Sequence, residues 1–454
     1  MNFSLQEFFE DCIKTIKPAF FISLTFMSQA LIITTDIVML GWLGIEMLAA
    51  AGYGVRLYMP LFLFVLGTAL CIMVLAGRAM GAKDYDGLRL VVRKLLCLGF
   101  CLGVAASFIL IFSIRPIMTV FGGTHTLINM TEGYVFLFAF SLPFMIFCAG
   151  LRCFMIVVGK PSPFMYVSFM LLVVNAFLDY GLAFGHFGLP EMGLNGIAIS
   201  STFVSFINAI ILFVICKYTA PFKQYKIFIN TGQAQIYKTV ALLKIALPMS
   251  AKLVLETLFY SIGFFIVGSF GAVYLAGYQI VYQIDTNIFL FGIGASSAIS
   301  TRVAYNIGAK NSKGVKLSAL SGVFILAIWS GFAGILSFTY AQEIAEFFIR
   351  NTGQASIETH AIIVKMLFVL MLYQAFHGMN LGIASAIDGM GHTGSTMKLF
   401  IISIIFVGIP LAYVLSYYTD LGAIGVLYAT GVSMALNLIL LIGMWIKNIK
   451  ELNY

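Results

Sequence analysis

Apolar segments long enough to cross a lipid bilayer recur along the whole chain of 454 residues. The hydrocarbon core of a bilayer is roughly 30 Å thick, so a spanning helix needs about 20 mainly apolar residues. The segments are continuous and do not alternate apolar with polar residues, which favours helices over a transmembrane barrel. We predict twelve spans, at residues 16–40, 47–76, 90–114, 133–158, 163–184, 195–216, 242–270, 274–304, 315–340, 359–386, 397–418 and 423–446.

Charged residues make up only 10% of the chain, against about 25% in soluble globular proteins. Such a chain cannot cover a water-facing surface, which predicts an all-α integral membrane protein. The net charge of +8 does not indicate a nucleic-acid partner, because the basic residues are scattered among short loops. The sequence contains no phosphate-binding Walker motif and no His-Glu-x-x-His, so we expect no enzyme activity and no cofactor.

The distribution of Lys and Arg orients the spans. Cytoplasmic loops are enriched in these residues, and with both termini inside, 21 of the 26 basic residues fall in inner segments. The outer loops hold two, Arg115 and Arg350, and the other three lie within spans. A missed span would reverse this pattern in every later loop. We therefore predict a multi-pass membrane protein with both termini in the cytoplasm.

The sequence repeats itself once. The motif GWLG that begins at Gly41 corresponds to GSFG at Gly268, and GAK at Gly81 corresponds to GAK at Gly308. The two members of each pair are 227 positions apart. Several matches at one offset indicate an internal duplication.

The duplication predicts an N-terminal six-helix lobe at residues 1–216, a cytoplasmic linker at 217–241 and a C-terminal six-helix lobe at 242–454. Six spans return the chain to its starting side, so both lobes should insert in the same direction. We expect a pseudo-twofold axis along the membrane normal to relate them. Two such bundles can expose a cleft to either side in turn, as alternating access requires. The alternative is a duplicated scaffold without a transport role.

Two acidic residues lie in spans of the first lobe. Asp36 is in the outer half of span one, and Asp179 is four residues after Asn175 on one face of span five. An ionisable side chain within a membrane is costly and is a candidate functional residue. A carboxyl group away from water favours its neutral form, so it can take up a proton and release it when water or a cation arrives. The alternative is a buried Asp satisfied by Ser, Thr or Asn neighbours.

The second lobe carries a different set of polar residues. Glu256 lies in span seven, one turn after Lys252, and the two could neutralise each other. Asp285 of span eight and Lys365 of span ten are at similar depth, so an ion pair is as reasonable an interpretation as a functional role. His377 lies mid-membrane in span ten, where it is either a hydrogen-bonded core residue or a proton carrier.

The pattern resembles the multidrug and toxic compound extrusion (MATE) family, most closely its NorM-like bacterial branch. The resemblance covers essentially the whole chain. The residues that carry it are Asp36-Ile-Val-Met-x-Gly41, Leu48-Ala49-Ala50, Asn175-x-x-Leu178-Asp179, Pro190-Glu191-x-Gly193, Leu247-Pro248 with Glu256, Gln279 and Tyr373-Gln374.

The resemblance implies a MATE-like fold of two six-helix lobes and assigns roles to individual residues. A first-lobe cation site would comprise Asp36, Asn175 and Asp179, with Ser200 or Ser201 of span six. The second-lobe acidic pair of the family would correspond to Glu256 and His377, and we add Asp285 and Tyr373 as further candidates for a second substrate or cation site. His377 stands where members of this branch often carry Asp, and Asp388 stands where relatives tend to carry Arg; both departures make the transfer of substrate assignments less direct.

We therefore expect a secondary multidrug efflux transporter that exchanges cationic lipophilic small molecules for protons, with sodium as the alternative coupling ion. Its partners would be these substrates and membrane lipid, and it would act as a monomer. Two other classes remain open. One is a flippase of lipid-linked precursors from a related superfamily, which should have a more cationic cavity. The other is an intramembrane enzyme or a channel.

Overall fold

The computed structural model describes residues 4–120, 125–229, 239–348 and 354–451; Arg350 and residues 230–238 of the predicted linker lie outside these ranges. Every regular element in the described ranges is a helix, as expected for backbone that must satisfy its own hydrogen bonds in lipid. The helices are α1 (Leu5–Leu43), α2 (Ile45–Gly81), α3 (Tyr85–Val120), α4 (His125–Ala139), α5 (Ser141–Val157), α6 (Ser162–Phe184), α7 (Gly193–Tyr218), α8 (Thr239–Gly268), α9 (Ala272–Gly308), α10 (Ser312–Thr339), α11 (Ala341–Phe348), α12 (Gln354–Gly389), α13 (Thr393–Ile401), α14 (Ile409–Tyr417) and α15 (Gly425–Glu451).

Within the described residues, twelve helical segments are long and apolar enough to cross a membrane. They correspond one to one with the twelve predicted spans, so this prediction is confirmed. Span four is formed by α4 and α5 together, and span eleven by α13, a π-helical segment (Ile402–Gly408) and α14. The chain is therefore an all-helical, multi-pass membrane protein.

A proline lies at each of the two interrupted spans. Pro143 has no N–H to donate to the carbonyl of Ala139, four residues earlier, and the Ser107 hydroxyl of α3 donates to that carbonyl instead, at 2.6 Å. Pro410 follows the π-helical segment, whose Ser403 carbonyl accepts a hydrogen bond from the Ser433 hydroxyl of α15 at 2.6 Å. Side chains of neighbouring helices thus satisfy carbonyls at both irregular sites.

The chain forms two compact units. Unit 2 is Leu24–Ala251, and unit 1 combines Met1–Ser23 with Lys252–Tyr454. In unit 2 a core of buried residues joins α2, α3, α4 and α5, with Leu110 and Ile114 wholly enclosed. In unit 1 the corresponding core joins α8, α9, α12 and α15. Each unit therefore buries its own apolar cluster.

Two close helix crossings, one in each unit, correspond to each other. In unit 2, α8 approaches α2 so closely that a Cβ added to Gly67 would lie 2.6 Å from the backbone nitrogen of Ser250. In unit 1, a Cβ added to Gly294 of α9 would lie 2.6 Å from the backbone nitrogen of Ser23, whose hydroxyl donates to the carbonyl of Phe291 at 3.0 Å. Each of these glycine and serine pairs is related to the other by the 227-residue repeat, so the duplication is visible in the packing.

We expect Gly67→Ala and Gly294→Ala each to destabilise the protein by about 1–3 kcal/mol, because backbone would have to move apart to admit the methyl group. Gly443→Ala in α15 is the matched control, since no atom lies within 4 Å of its added Cβ. Thermal unfolding of the purified protein in detergent measures the effect. An equal loss of stability in all three variants would contradict this explanation.

Candidate functional site

The predicted first-lobe site is assembled by three helices of unit 2. Asp36 lies on α1, Asn175 and Asp179 lie one turn apart on α6, and Ser200 and Ser201 lie on α7. The Ser201 hydroxyl donates to Asp36 Oδ2 at 2.9 Å. Asn175 Nδ2 donates a longer hydrogen bond of 3.5 Å to the Ser200 hydroxyl. The carboxyl groups of Asp36 and Asp179 lie close enough to interact directly.

Glycine permits the approach of α7 to α6 at this site. A Cβ on Gly196 would lie 2.5 Å from the carbonyl oxygen of Leu182, so only glycine fits between the two backbones. Ser200 is one helical turn after Gly196 and therefore faces α6. Gly185 ends α6 in the left-handed conformation with φ 71°, which favours glycine. The two glycines thus allow the chain to turn between α6 and α7, and they place the two serines of α7 beside the acidic residues.

The cluster contains more acceptors than donors. Asn175, Asp179 and Ser200 are fully buried, and Asp36 is half-buried. Among the described residues, no protein donor reaches four of its oxygen atoms: Asp36 Oδ1, Asn175 Oδ1 and both oxygens of Asp179. Buried acceptors without a donor are costly, and two ionised carboxyl groups side by side repel each other. The arrangement favours a bound proton or another cation.

Two buried tyrosines stand beside this cluster. Tyr134 of α4 lies near Asp36, Asp179 and Tyr58. Tyr58 of α2 contacts the Ser141 hydroxyl at 3.1 Å. The sequence analysis missed both, because nothing distinguishes them among 21 tyrosines.

The second-lobe residues form a cluster in unit 1 that is centred on Asp285 of α9. Gln374 Nε2 donates to Asp285 Oδ1 at 3.2 Å, and the Tyr260 hydroxyl of α8 lies 3.5 Å from Oδ2. His377 Nδ1 is 3.8 Å from Asp285 Oδ1. Tyr373, also buried, lies near the same carboxyl group. The structure therefore brings together three of the four predicted residues, and it adds Tyr260 and Gln374.

The ion pair between Asp285 and Lys365, one of two interpretations of the sequence, is wrong. Lys365 is exposed, whereas Asp285 is 4% exposed and turns toward Gln374 and His377. The two residues lie at similar depth, but side chains on different faces of their helices do not meet. His377 is held from its other side by Phe289, whose ring stacks on the imidazole at a centroid distance of 5.4 Å.

The suggested ion pair between Lys252 and Glu256 is also wrong. Lys252 Nζ instead donates to Asp388 Oδ2 of α12 at 2.7 Å, and the Thr396 hydroxyl donates to the other oxygen at 2.5 Å. Glu256 is the fourth predicted residue of the second site; it is partly exposed and lies within electrostatic range of His377, Lys252 and Asp285. Asp388 is thus neutralised by a lysine, and Glu256 lies on the border of the Asp285 cluster.

Comparison with known proteins gives a consistent result. The MatE family model matches residues 22–181 and 248–414. The chain is 25% identical over 422 residues to "Probable multidrug resistance protein NorM" of Agrobacterium fabrum, covering 91% of this chain and 89% of the relative. It is 25% identical to the protein of the same name from Synechocystis sp., covering 96% and 94%.

Solved structures show the same fold. An outward-facing multidrug resistance MATE family transporter of the MOP superfamily superposes with a TM-score of 0.87 at 16% identity, covering 97% of this chain and 96% of that one. The eukaryotic MATE transporter AtDTX14 gives 0.85 at 18% identity, covering 98% and 99%. The twelve spans and the family match over both repeats lead to one conclusion: the chain belongs to the MATE family of membrane transporters and to its NorM-like branch.

Proposed function

We propose that the protein is a secondary multidrug exporter that exchanges cationic lipophilic small molecules for protons by alternating access. The family and the names of its NorM relatives support drug efflux as the general activity. In the orientation predicted from Lys and Arg, both termini are cytoplasmic and export proceeds out across a bacterial inner membrane. The protein would work as a monomer without a cofactor.

The acceptor-rich cluster of unit 2 is the observation that carries the coupling proposal. A proton held between Asp36 and Asp179 turns one carboxyl group into a donor and removes the repulsion between two negative charges. Release of that proton restores both the charge and the unsatisfied oxygens. The packing of α1 against α6 and α7 should therefore differ between the two protonation states, and a conformational cycle can use this difference.

The sign of the charges supports a cationic substrate. Among the described residues, three interior carboxyl groups have no basic partner within hydrogen-bond distance: Asp36 and Asp179 in unit 2 and Glu256 in unit 1. The buried Arg152 of unit 2 donates to Gln29 Oε1 and packs on phenylalanine rings. Tyrosine and phenylalanine rings near these groups offer faces that attract cations. A positive substrate and the coupling proton would then compete for negative charge. A flippase for anionic lipid-linked precursors would need the opposite polarity.

Proteoliposomes with separately imposed gradients test this proposal. One unit of pH difference carries about 1.4 kcal/mol per proton, enough for about a tenfold substrate gradient in one-for-one exchange. We expect ethidium transport to follow an imposed pH gradient and to saturate with ethidium concentration. Transport driven by a sodium gradient alone would identify sodium, and not the proton, as the coupling ion. Transport with neither gradient, or without saturation, would contradict a coupled exporter and favour a channel.

A further inference from the structure

A groove lined by phenylalanine lies on unit 2, apart from the acidic cluster. Its volume is about 450 Å³, within the roughly 300–1,000 Å³ of sites that hold small molecules. Helices α3, α5 and α7 form its walls, and the segment after α7 contributes one more ring. The aromatic lining residues are Phe100, Phe144, Phe147, Phe206, Phe213 and Phe228.

The aromatic rings give the groove a defined shape. Phe144 packs edge-to-face against both Phe206 and Phe100, with centroid distances of 5.1 and 6.1 Å. Phe228 packs on Phe213 at 4.5 Å and so covers one end. Phe206 and its neighbour Ile210 are exposed on the outer face of α7. In a membrane-spanning helix such exposed apolar side chains meet lipid tails, so the groove opens toward the acyl chains.

Positive charge is confined to one end of the groove. Arg93, a lining residue, donates from Nη1 to the carbonyl of Ile229 at 3.0 Å. Lys217 Nζ lies over the ring of Phe213 at 5.3 Å and over that of Tyr218 at 5.1 Å. None of the described lining residues is acidic. In the predicted orientation this end lies at the cytoplasmic surface, where membrane phosphates are found.

We propose that this groove binds an anionic phospholipid of the cytoplasmic leaflet. One acyl chain lies among the phenylalanine rings, and the phosphate is held by Arg93 and Lys217. Basic pockets between spans on the cytoplasmic side suit such headgroups, because charge and apolar surface are recognised together. The groove has no carboxyl group to attract a lipophilic cation, unlike the clusters inside the two units. Lipid binding here does not depend on the coupling ion or on the proposed transport activity.

Photo-crosslinking to the full-length protein tests the proposal. The probes are phosphatidylglycerol and phosphatidylcholine, each with a diazirine on an acyl chain, in phosphatidylcholine vesicles. We expect phosphatidylglycerol to label peptides of α3, α5 and α7 about 30-fold more than phosphatidylcholine does, the difference expected from two basic residues at about 1 kcal/mol each. Arg93→Gln with Lys217→Gln should remove this preference, whereas Lys160→Gln, on an exposed loop of the same unit, should retain it.

A second pair of variants tests the groove itself. Ile210→Trp should fill it and remove labelling by both lipids, whereas Val173→Trp, on the exposed face of α6, should leave labelling unchanged. Equal labelling by the two lipids in the unaltered protein would overturn the proposal, and so would labelling located on other helices. Displacement of the probe by ethidium would also overturn it and would identify the groove as a substrate entry path.

Discussion

Asp36→Asn should remove most of the change in ethidium affinity that protonation produces, which is about 5–150-fold at the usual coupling strength between two binding sites, and proton-driven ethidium efflux should fall strongly as a result. Asparagine has the same shape, and its Oδ1 can still accept the hydrogen bond that Ser201 donates at 2.9 Å. It cannot, however, take up or release a proton. The cluster could then no longer change between a shared proton and two negative charges, although Asp179 still titrates, and the link between substrate binding and pH should be greatly weakened.

Asp86→Asn is the matched control for this prediction. It makes the same chemical change at an acid whose side chain is 57% exposed and is already paired with Arg89, so efflux should be retained. A second measurement separates lost coupling from misfolding: ethidium added to detergent-purified protein should release protons to a pH-sensitive dye. Monodisperse Asp36→Asn protein should bind ethidium without that release. Undiminished coupled efflux in this variant would refute the proposed role of Asp36.

The helical spans could be predicted from sequence because the bilayer imposes a simple rule. Twenty apolar residues identify a span wherever it lies, and the twelve segments were identified in this way. The predicted ends of the helices are less accurate: α1 begins at Leu5, eleven residues before the predicted start of span one. Hydropathy reports where a helix lies in hydrocarbon, and it does not report where the helix ends in water. Residues such as Lys14 extend a helix without extending its apolar core.

The candidate sites were partly predictable for the same reason. A carboxyl group in an apolar segment is unusual enough to be noticed, so Asp36, Asp179 and Asp285 could be predicted as candidates, and the family resemblance groups Asp36 with Asp179. Their surroundings depend on which helix faces approach each other, and periodicity within one helix does not contain that information. Tyr134 was therefore missed, and Asp285 was considered with Lys365 although its contacts are Gln374 and His377.

The ion pair between Lys252 and Asp388 is the clearest example of a contact between helices that the sequence does not reveal. It also leads to the second large prediction. The nearest acid in sequence to Lys252 is Glu256, yet its partner is 136 positions away on α12. Asp388 has a side-chain exposure of 5% and Lys252 of 20%, so neither charge has ready access to water. Removal of one partner leaves a buried charge, and Asp388→Asn should therefore destabilise the protein by about 3–5 kcal/mol.

A charge reversal tests whether the stability lost in Asp388→Asn comes from the broken ion pair or from disturbed packing. Lys252→Asp combined with Asp388→Lys should recover most of the stability lost in Asp388→Asn, because both charges again have partners. The control is the exposed pair of Arg115 and Glu132, with side-chain exposures of 57% and 38%; Glu132→Gln should cost only about 0–1 kcal/mol. Unfolding free energies in mixed micelles measure all four proteins. If Asp388→Asn cost no more than Glu132→Gln, then water must reach Lys252, and the interior of unit 1 at this depth would be a wet cavity and not a packed core.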